Sequence, residues 1–348
     1  MSFLVRGDSV FLEREMYLDT YKELCEIKDF LESLNLKMPK ELDYTVGIYK
    51  DNNLIGTGSL GGNIIKGIGV SPKLQGEGIS AIIITNLLKK AIELGRDNVF
   101  IYTKPDSGTM FSELGFKRIA NASPYAVLLE WGNGLKGYLS KLKEISKYKP
   151  SNATCIVMNG NPFTLGHRHL IENALKQSKF LYVLVVEEDK SLFPFKVRFN
   201  LIKEGLKDIE NIEIIPGGDY IISAATFPSY FTKEVDLSIA QGTLDLDLFS
   251  NHIAPALKIT KRFVGEEPIC PVTSVYNRVM KETLPKSGIE VIEIPRLEKG
   301  GGYISASRVR AALKTGDIEG IKDIVPISTY NYLKSSEGEE IIRKIIKQ

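Results

Sequence analysis

The chain has 348 residues, with 45 Lys plus Arg against 43 Asp plus Glu and a formal net charge of +2 at pH 7. Length predicts two domains, while near-balanced charge argues against a nucleic-acid partner, which calls for a clustered basic excess, and leaves local anion sites open. No run approaches the ~20 apolar residues of a membrane span, MSFLVRGDSVFLERE lacks a signal-peptide core, and the scattered Cys25, Cys155 and Cys270 form no metal or redox spacing, all of which fits a reduced, cytoplasmic protein with no membrane partner.

In chain order, YTVGIYKDNNLIGTGSLGG predicts two strands around an Asp-Asn-Asn turn, and IIKGIGV a third. After SPKLQGEG, ISAIIITNLLKKAIELG carries apolar residues at 79, 82, 83, 87, 91 and 94, close to helical spacing. NVFIYT predicts the next strand, DSGTMFSELGF a short helix ending at Gly115, and AVLLEW a closing strand. WGNGLKGYLSKLKEISKYKPSN is rich in Gly, Lys and Ser and predicts a joint with a short helix. The expected division is residues 1–130, a linker at 131–150, and residues 151–348.

Gln75-Gly76-Glu77-Gly78-Ile79-Ser80 lies between a predicted strand and helix. Glycine lets backbone approach a ligand, and a helix start leaves N–H groups free for phosphate. A plain strand-to-helix turn needs the same residues. The order strand, Q-x-x-G-x-[small], amphipathic helix, strand, F-x-x-L-G-F resembles the GNAT acetyltransferase family over residues 1–130. The resemblance implies a GNAT-like α+β domain in which Gln75, Gly76, Gly78 and Ser80 line a site for the pyrophosphate of a CoA-like molecule. Ser80 stands where Gly or Ala is usual. Phe111 stands where many members carry the tyrosine that reprotonates the departing thiolate. A phenyl ring donates no proton, so the half is expected to bind without acyl transfer, or to be structural.

In the second half, TCIVMNG (154–160) is a short apolar run ending in turn residues. HRHLIENALKQS is helical, with Leu170, Ile171, Ala174 and Leu175 on one face. FLYVLVVEED is continuously apolar, as in a parallel sheet. Then come a helix (KVRFNLIKEGL), a strand (IEIIP), a long irregular stretch, KRFVGEE, a helix around Val275–Glu282, IEVIEIPRL and the helix SASRVRAALKTG. Such alternation predicts a Rossmann-like, doubly wound parallel α/β sheet.

Two elements of this half carry chemistry. NGNPFTLGHRHL holds two of the chain's three histidines. Thr164 and His167, three apart at a helix start, can face one anion, and the helix dipole favours negative charge there. Neutral His donates one N–H, and protonated His adds charge; a buried structural histidine is the competing reading. His169, two residues on, points elsewhere and reads as a cap or surface residue. Ile304-Ser305-Ala306-Ser307-Arg308-Val309-Arg310 opens another helix. Its hydroxyls and Arg310 suit phosphate oxygens, although serine caps and surface arginines are common.

Together these elements resemble the nucleotidyltransferase superfamily, with its [TH]-x-G-H and I-S-[ST]-[ST]-x-x-R motifs, over residues 151–330. Ala306 replaces a usual hydroxyl. The resemblance implies that Thr164 and His167 contact ATP at its α–β phosphate link, and that Ser305, Ser307 and Arg310 hold the β and γ phosphates. Asn161, Phe163, Gly166, Lys196, Arg198, Gly265 and Glu266 would complete the ATP site. Mg²⁺ would ride on the triphosphate, with no other metal site.

NGNPFTLGHRHLIE, FPFKVRFNLIKEG, GGDYIISAATFPSYFTK and FVGEEP followed by Tyr276-Asn277, behind a GNAT-like half, resemble the citrate lyase ligase family. That resemblance implies ATP-dependent activation of acetate as acetyl-adenylate. The acetyl group then passes to the thiol of the CoA-like prosthetic group on the citrate lyase acyl carrier subunit, and AMP and pyrophosphate leave. In GGDYIISAATFPSYFTK, Phe227, Tyr230 and Phe231 either shape the acid and thiol pocket or belong to the core. The alternatives are an adenylyltransferase for a phosphorylated metabolite such as phosphopantetheine, a GNAT acetyltransferase with a nucleotide-sensing second domain, and a non-catalytic nucleotide-binding regulator.

Overall fold

The computed structural model describes residues 2–6, 9–187, 191–222 and 234–347. Phe227, Tyr230 and Phe231 lie outside the described residues. The chain forms two compact units, one holding Met1–Lys136 with Pro228–Ala240 and the other Gly137–Phe227 with Gln241–Gln348.

The first unit contains β1 (Ser2–Arg6), β2 (Ser9–Glu15), α1 (Tyr21–Ser33), β3 (Tyr44–Lys50), β4 (Asn53–Gly61), β5 (Ile64–Val70), α2 (Ile79–Glu93), β6 (Val99–Thr103), α3 (Gly108–Glu113), β7 (Lys117–Ala122) and β8 (Ala126–Trp131). Its eight strands are ordered β1-β2-β3-β4-β5-β6-β8-β7. Neighbours are antiparallel except β5 and β6. Helix α2 buries Ile79, Ile82, Ile83, Ile84, Leu87 and Ala91, and these join Val46, Ile48, Leu60, Ile101 and Val127 in one core. The parallel β5–β6 pair is matched only at Ile64–Phe100 and Ile65–Ile101. Beyond those positions a cavity of about 730 Å³ opens, lined from both strands by Gly67, Ile68 and Val70 and by Tyr102, Thr103 and Lys104.

The second unit begins within α4 (Gly134–Ser146), the segment read as a joint. Leu142 of α4 is fully buried, and Ser146 Oγ donates to the Ala256 carbonyl at 2.8 Å. There follow β9 (Ala153–Met158), α5 (Leu165–Leu175), β10 (Leu181–Val185), α6 (Phe195–Gly205), β11 (Ile212–Pro216), α7 (Glu234–Leu248, in this unit from Gln241), α8 (Ala254–Leu257), β12 (Ile259–Gly265), α9 (Pro271–Thr283), β13 (Glu290–Ile294), α10 (Ala306–Lys314), α11 (Ile327–Leu333) and α12 (Ser336–Ile346). All five strands are parallel, in the order β11-β10-β9-β12-β13. Every residue of β10 is buried, which explains its unbroken apolar run. The order reverses beside β9, where chain connections leave a crevice at the strands' carboxyl ends.

The α/β expectation describes both sheets. Within the stretch read as irregular lies α7, whose described second half is buried on several sides, including Gln241 and Asp245. A helix without an exposed face carries no amphipathic period, so its pattern is silent. Among the described residues, no helix is long and apolar enough to cross a membrane.

Candidate active site at the strand ends

Helix α5 starts at the carboxyl end of β9 with Thr164 as N-cap, in extended conformation and buried. Its hydroxyl accepts from the His167 backbone N–H, and its own N–H donates to His167 Nδ1 at 3.1 Å. An amide N–H only donates, so Nδ1 is the acceptor. The neutral ring therefore carries its proton on Nε2. The Thr164 hydroxyl lies 2.9 Å from the same Nδ1, and the buried Phe163 ring stacks on the imidazole with centroids 5.7 Å apart. Cap and stack together fix the ring's tautomer and direction. Burial first, then the cations Arg296 and Arg310, push His167 down to about 4. A ring lowered this far is a donor without charge at neutral pH.

Gly166 brings the two motifs together. A Cβ there would stand 2.6 Å from the Ile304 carbonyl oxygen, so only glycine lets α5 pack against the residue before Ser305. Gly166, expected in the ATP site, makes its close approach in this structure to the Ile304 backbone. Ser305 caps α10, its Oγ accepting from Arg308 N–H at 3.1 Å. Arg310 Nη1 donates to the Asn161 carbonyl at 2.6 Å, and Nη2 to Ser307 Oγ at 3.0 Å. Burial lowers the Arg310 guanidinium. Asn161 Oδ1 accepts from Phe193 N–H, which ties the loop before α5 to the loop before α6.

Arg198 and Phe163 sit elsewhere than expected. Arg198 is fully buried and donates to the carbonyls of Phe193, Asn159 and Val186. It clamps the loops around the site and has no surface for phosphate. Phe163 has none either and serves as the base of His167. Lys196 is exposed in the first turn of α6. Gly265 ends β12, and the exposed Glu266 offers its carbonyl to Arg296 Nε at 2.6 Å. Arg296, which also pairs with Glu267, was missed by motif reading. Its position just past the carboxyl end of β13 was the available signal. His169 instead meets Asn173, one turn along α5, consistent with a surface role.

Residues 153–333 match the model of the citrate lyase ligase C-terminal domain. The chain is 40% identical to the [citrate [pro-3S]-lyase] ligase of Klebsiella pneumoniae, over 93% of this chain and 96% of that protein. It is 44% identical to the [citrate [pro-3S]-lyase] ligase of Haemophilus influenzae, over 90% and 96%. This chain belongs to the citrate lyase ligase family. It is also similar to a solved acyl-CoA N-acyltransferase from Pseudomonas aeruginosa, 14% identical with a TM-score of 0.31, over 35% of this chain and 99% of that one.

In this family member Gln75, Gly76, Gly78 and Ser80 all line the 730 Å³ cavity of the first unit. Gly78, the N-cap of α2, is left-handed at φ +77° and gives no side-chain cap. Among the described residues, Lys37, Lys66 and Lys104 line the cavity and no carboxylate does. Phe111 lines it too, packed edge-on against Phe116. Tyr102 is the cavity's tyrosine, its hydroxyl pushed up to about 12 by burial.

Proposed function

We propose that the chain activates acetate with ATP and acetylates the thiol of a CoA-like prosthetic group on the citrate lyase acyl carrier subunit. Support comes from family membership over nearly the full chain and, above all, from one observation. His167 Nδ1 is filled by the Thr164 N–H, so the neutral ring presents Nε2–H as a fixed donor within the field of Arg310.

Acetate is an anion at neutral pH and needs no general base. Its oxygen attacks the α-phosphorus, the bond from that phosphorus to the bridging oxygen breaks, and pyrophosphate leaves with the electron pair. The site's task is positioning and charge stabilisation. His167 Nε2–H serves the bridging region. Arg310, with Ser307, grips the departing pyrophosphate, and Arg296 adds positive field. Thr164 acts through His167, holding the ring rather than touching phosphate. No group of three potential metal ligands occurs among the described residues; Mg²⁺ enters as part of the MgATP substrate, on phosphate oxygens. In the second step the thiol sulfur attacks the acetyl carbonyl, AMP leaves with the electron pair, and the thiol proton passes to solvent.

The front cavity, with three lysines and a Gly-rich turn, suits the phosphates of the CoA-like group. The test is ATP–pyrophosphate exchange with and without acetate. Acetate-dependent exchange is the expected result. Exchange that requires a phosphorylated metabolite instead would establish an adenylyltransferase.

A further inference from the structure

The triphosphate donors of the proposed reaction follow β9 and β13, and Gly265 ends β12. The nucleotide is thereby assigned to the β9–β12–β13 side of the switch point. The other reactant, the carboxylate, then approaches over the ends of β10 and β11. The wall there is the turn Gly217–Ile222. Gly217 N–H donates to the Val185 carbonyl at 2.7 Å and Gly218 N–H to Glu187 Oε2 at 2.9 Å. Tyr220 is buried and stacks on Tyr138 of α4, whose hydroxyl donates to the Pro216 carbonyl.

The turn ends in a conformation that its residue disfavours. Ile222 has φ +45°, a region where a β-branched side chain is strained. Something must hold it there. Asp245 of α7 does: its Oδ1 accepts from the Ile222 N–H at 2.7 Å. Its Oδ2 accepts from the Tyr276 hydroxyl of α9 at 2.5 Å. That hydroxyl in turn accepts from Arg262 Nη2 of β12 at 3.0 Å. Arg262 also lies over the Phe249 ring, 4.6 Å from its centroid. Asp245 and Arg262 are each 2% exposed. Buried charges, even when paired, are weak sources of stability, which turns attention to what these two, bridged by the Tyr276 hydroxyl, position. The next residue, Asn277, donates to the Gly265 carbonyl at 3.1 Å. Adjacent residues of one helix thus reach the two sides of the crevice.

We propose that the Arg262–Tyr276–Asp245 relay is a positioning device that locks Ile222 and so sets the carboxylate side of the site. The inference rests on the adenylation reading. Tyr276 and Asp245 touch no reacting atom; they act through the Gly217–Ile222 turn. A carboxylate pocket held this way discriminates by wall position, so its loss appears in affinity for the acid before it appears in turnover.

The test is Tyr276→Phe in the full chain, followed by acetate-dependent pyrophosphate exchange and by hydrogen exchange of backbone amides. KM for acetate should rise at least tenfold while KM for ATP stays within about twofold. The Ile222 amide should exchange at least tenfold faster, with α10 unchanged. Adding Ile222→Gly, which tolerates the left-handed conformation without a holder, should recover part of the acetate KM. Equal rises in both KM values, or an Ile222 amide as protected as in the wild type, would overturn the relay while leaving the adenylation reading standing. Wild-type exchange indifferent to acetate would overturn that reading, and the relay's purpose with it. If Tyr276→Phe does not fold, Asp245→Asn, which removes the acceptor of the Tyr276 hydroxyl, takes its place: the proposal expects the same rise in KM for acetate with KM for ATP unaffected, and a rise in KM for ATP or an unchanged KM for acetate contradicts it.

Discussion

The Gln75–Ser80 turn and the Thr164–His167 turn both lead from a strand region into a helix, yet they present different chemistry. At the first, Gly78 caps α2 without a side chain, so the helix start offers bare N–H groups to a roomy cavity whose described lining carries lysines and no acid. At the second, Thr164 takes up the His167 N–H, and the helix start offers one oriented imidazole instead. An open helix start suits holding a phosphate; a filled one suits aiming a single donor. On the proposed reading, the difference separates binding from catalysis within one chain.

The largest effect that can break this contrast is at the aimed donor. His167→Ala should lower kcat by about 10²–10³-fold, the scale of one lost electrostatic donor, with the fold retained by circular dichroism. Near wild-type turnover would remove His167 from catalysis. Next comes the contact that joins the two motifs. Gly166→Ala drives a methyl against the Ile304 backbone, and misplacement of that order costs about 10²-fold in rate and about 1–3 kcal/mol in stability. Unchanged exchange would mean that the motifs work without their close packing. Arg310→Ala should raise KM for ATP by about 10–100-fold, the worth of a charge-assisted hydrogen bond. It should spare acetyl transfer from supplied acetyl-adenylate to the thiol, because pyrophosphate has no part in that step. Equal damage to both half-reactions would contradict the division.

At the open turn, Gly78→Val forces a side chain onto a left-handed residue and should abolish heat of binding for CoA or dephospho-CoA in calorimetry. The wild-type chain should bind without moving acetyl from acetyl-CoA to amines. Turnover there would point to Tyr102, the hydroxyl that lines the same cavity as Phe111. The smallest effect is a pH response. Folded His167 titrates near 4, below the ordinary 6.5. Between those values the unfolded chain takes a proton that the folded chain refuses. Stability is therefore lost as pH falls through that window, by about 2 kcal/mol at pH 5. His167→Gln should show a shallower loss in urea midpoints between pH 7 and 5. An identical slope would show that the ring titrates normally.

The helix starts at the three motifs and the parallel sheet were legible because they rest on local rules: strand, turn residues, cap, amphipathic helix. The roles of Phe163 and Arg198 were not. A phenylalanine and an arginine beside a phosphate motif read as ligand contacts, whereas packing makes one the base of an imidazole and the other a clamp on three carbonyls. The partner of Gly166 was equally hidden, since Ile304 lies far along the chain. Helix α7 escaped because burial on several sides erases the helical period, and with it went Asp245, a carboxylate whose sequence neighbourhood, TLDLDL, gives no hint of Tyr276 or Arg262.

The central claim is that a carboxylate oxygen attacks the α-phosphorus, and it leaves an isotopic mark. With acetate labelled by ¹⁸O in both oxygens, ATP and a thiol acceptor, one complete turnover leaves one acetate oxygen on AMP. Mass spectrometry of the products should find a single ¹⁸O in AMP and none in pyrophosphate. Unlabelled AMP, or label in pyrophosphate or inorganic phosphate, would contradict the account.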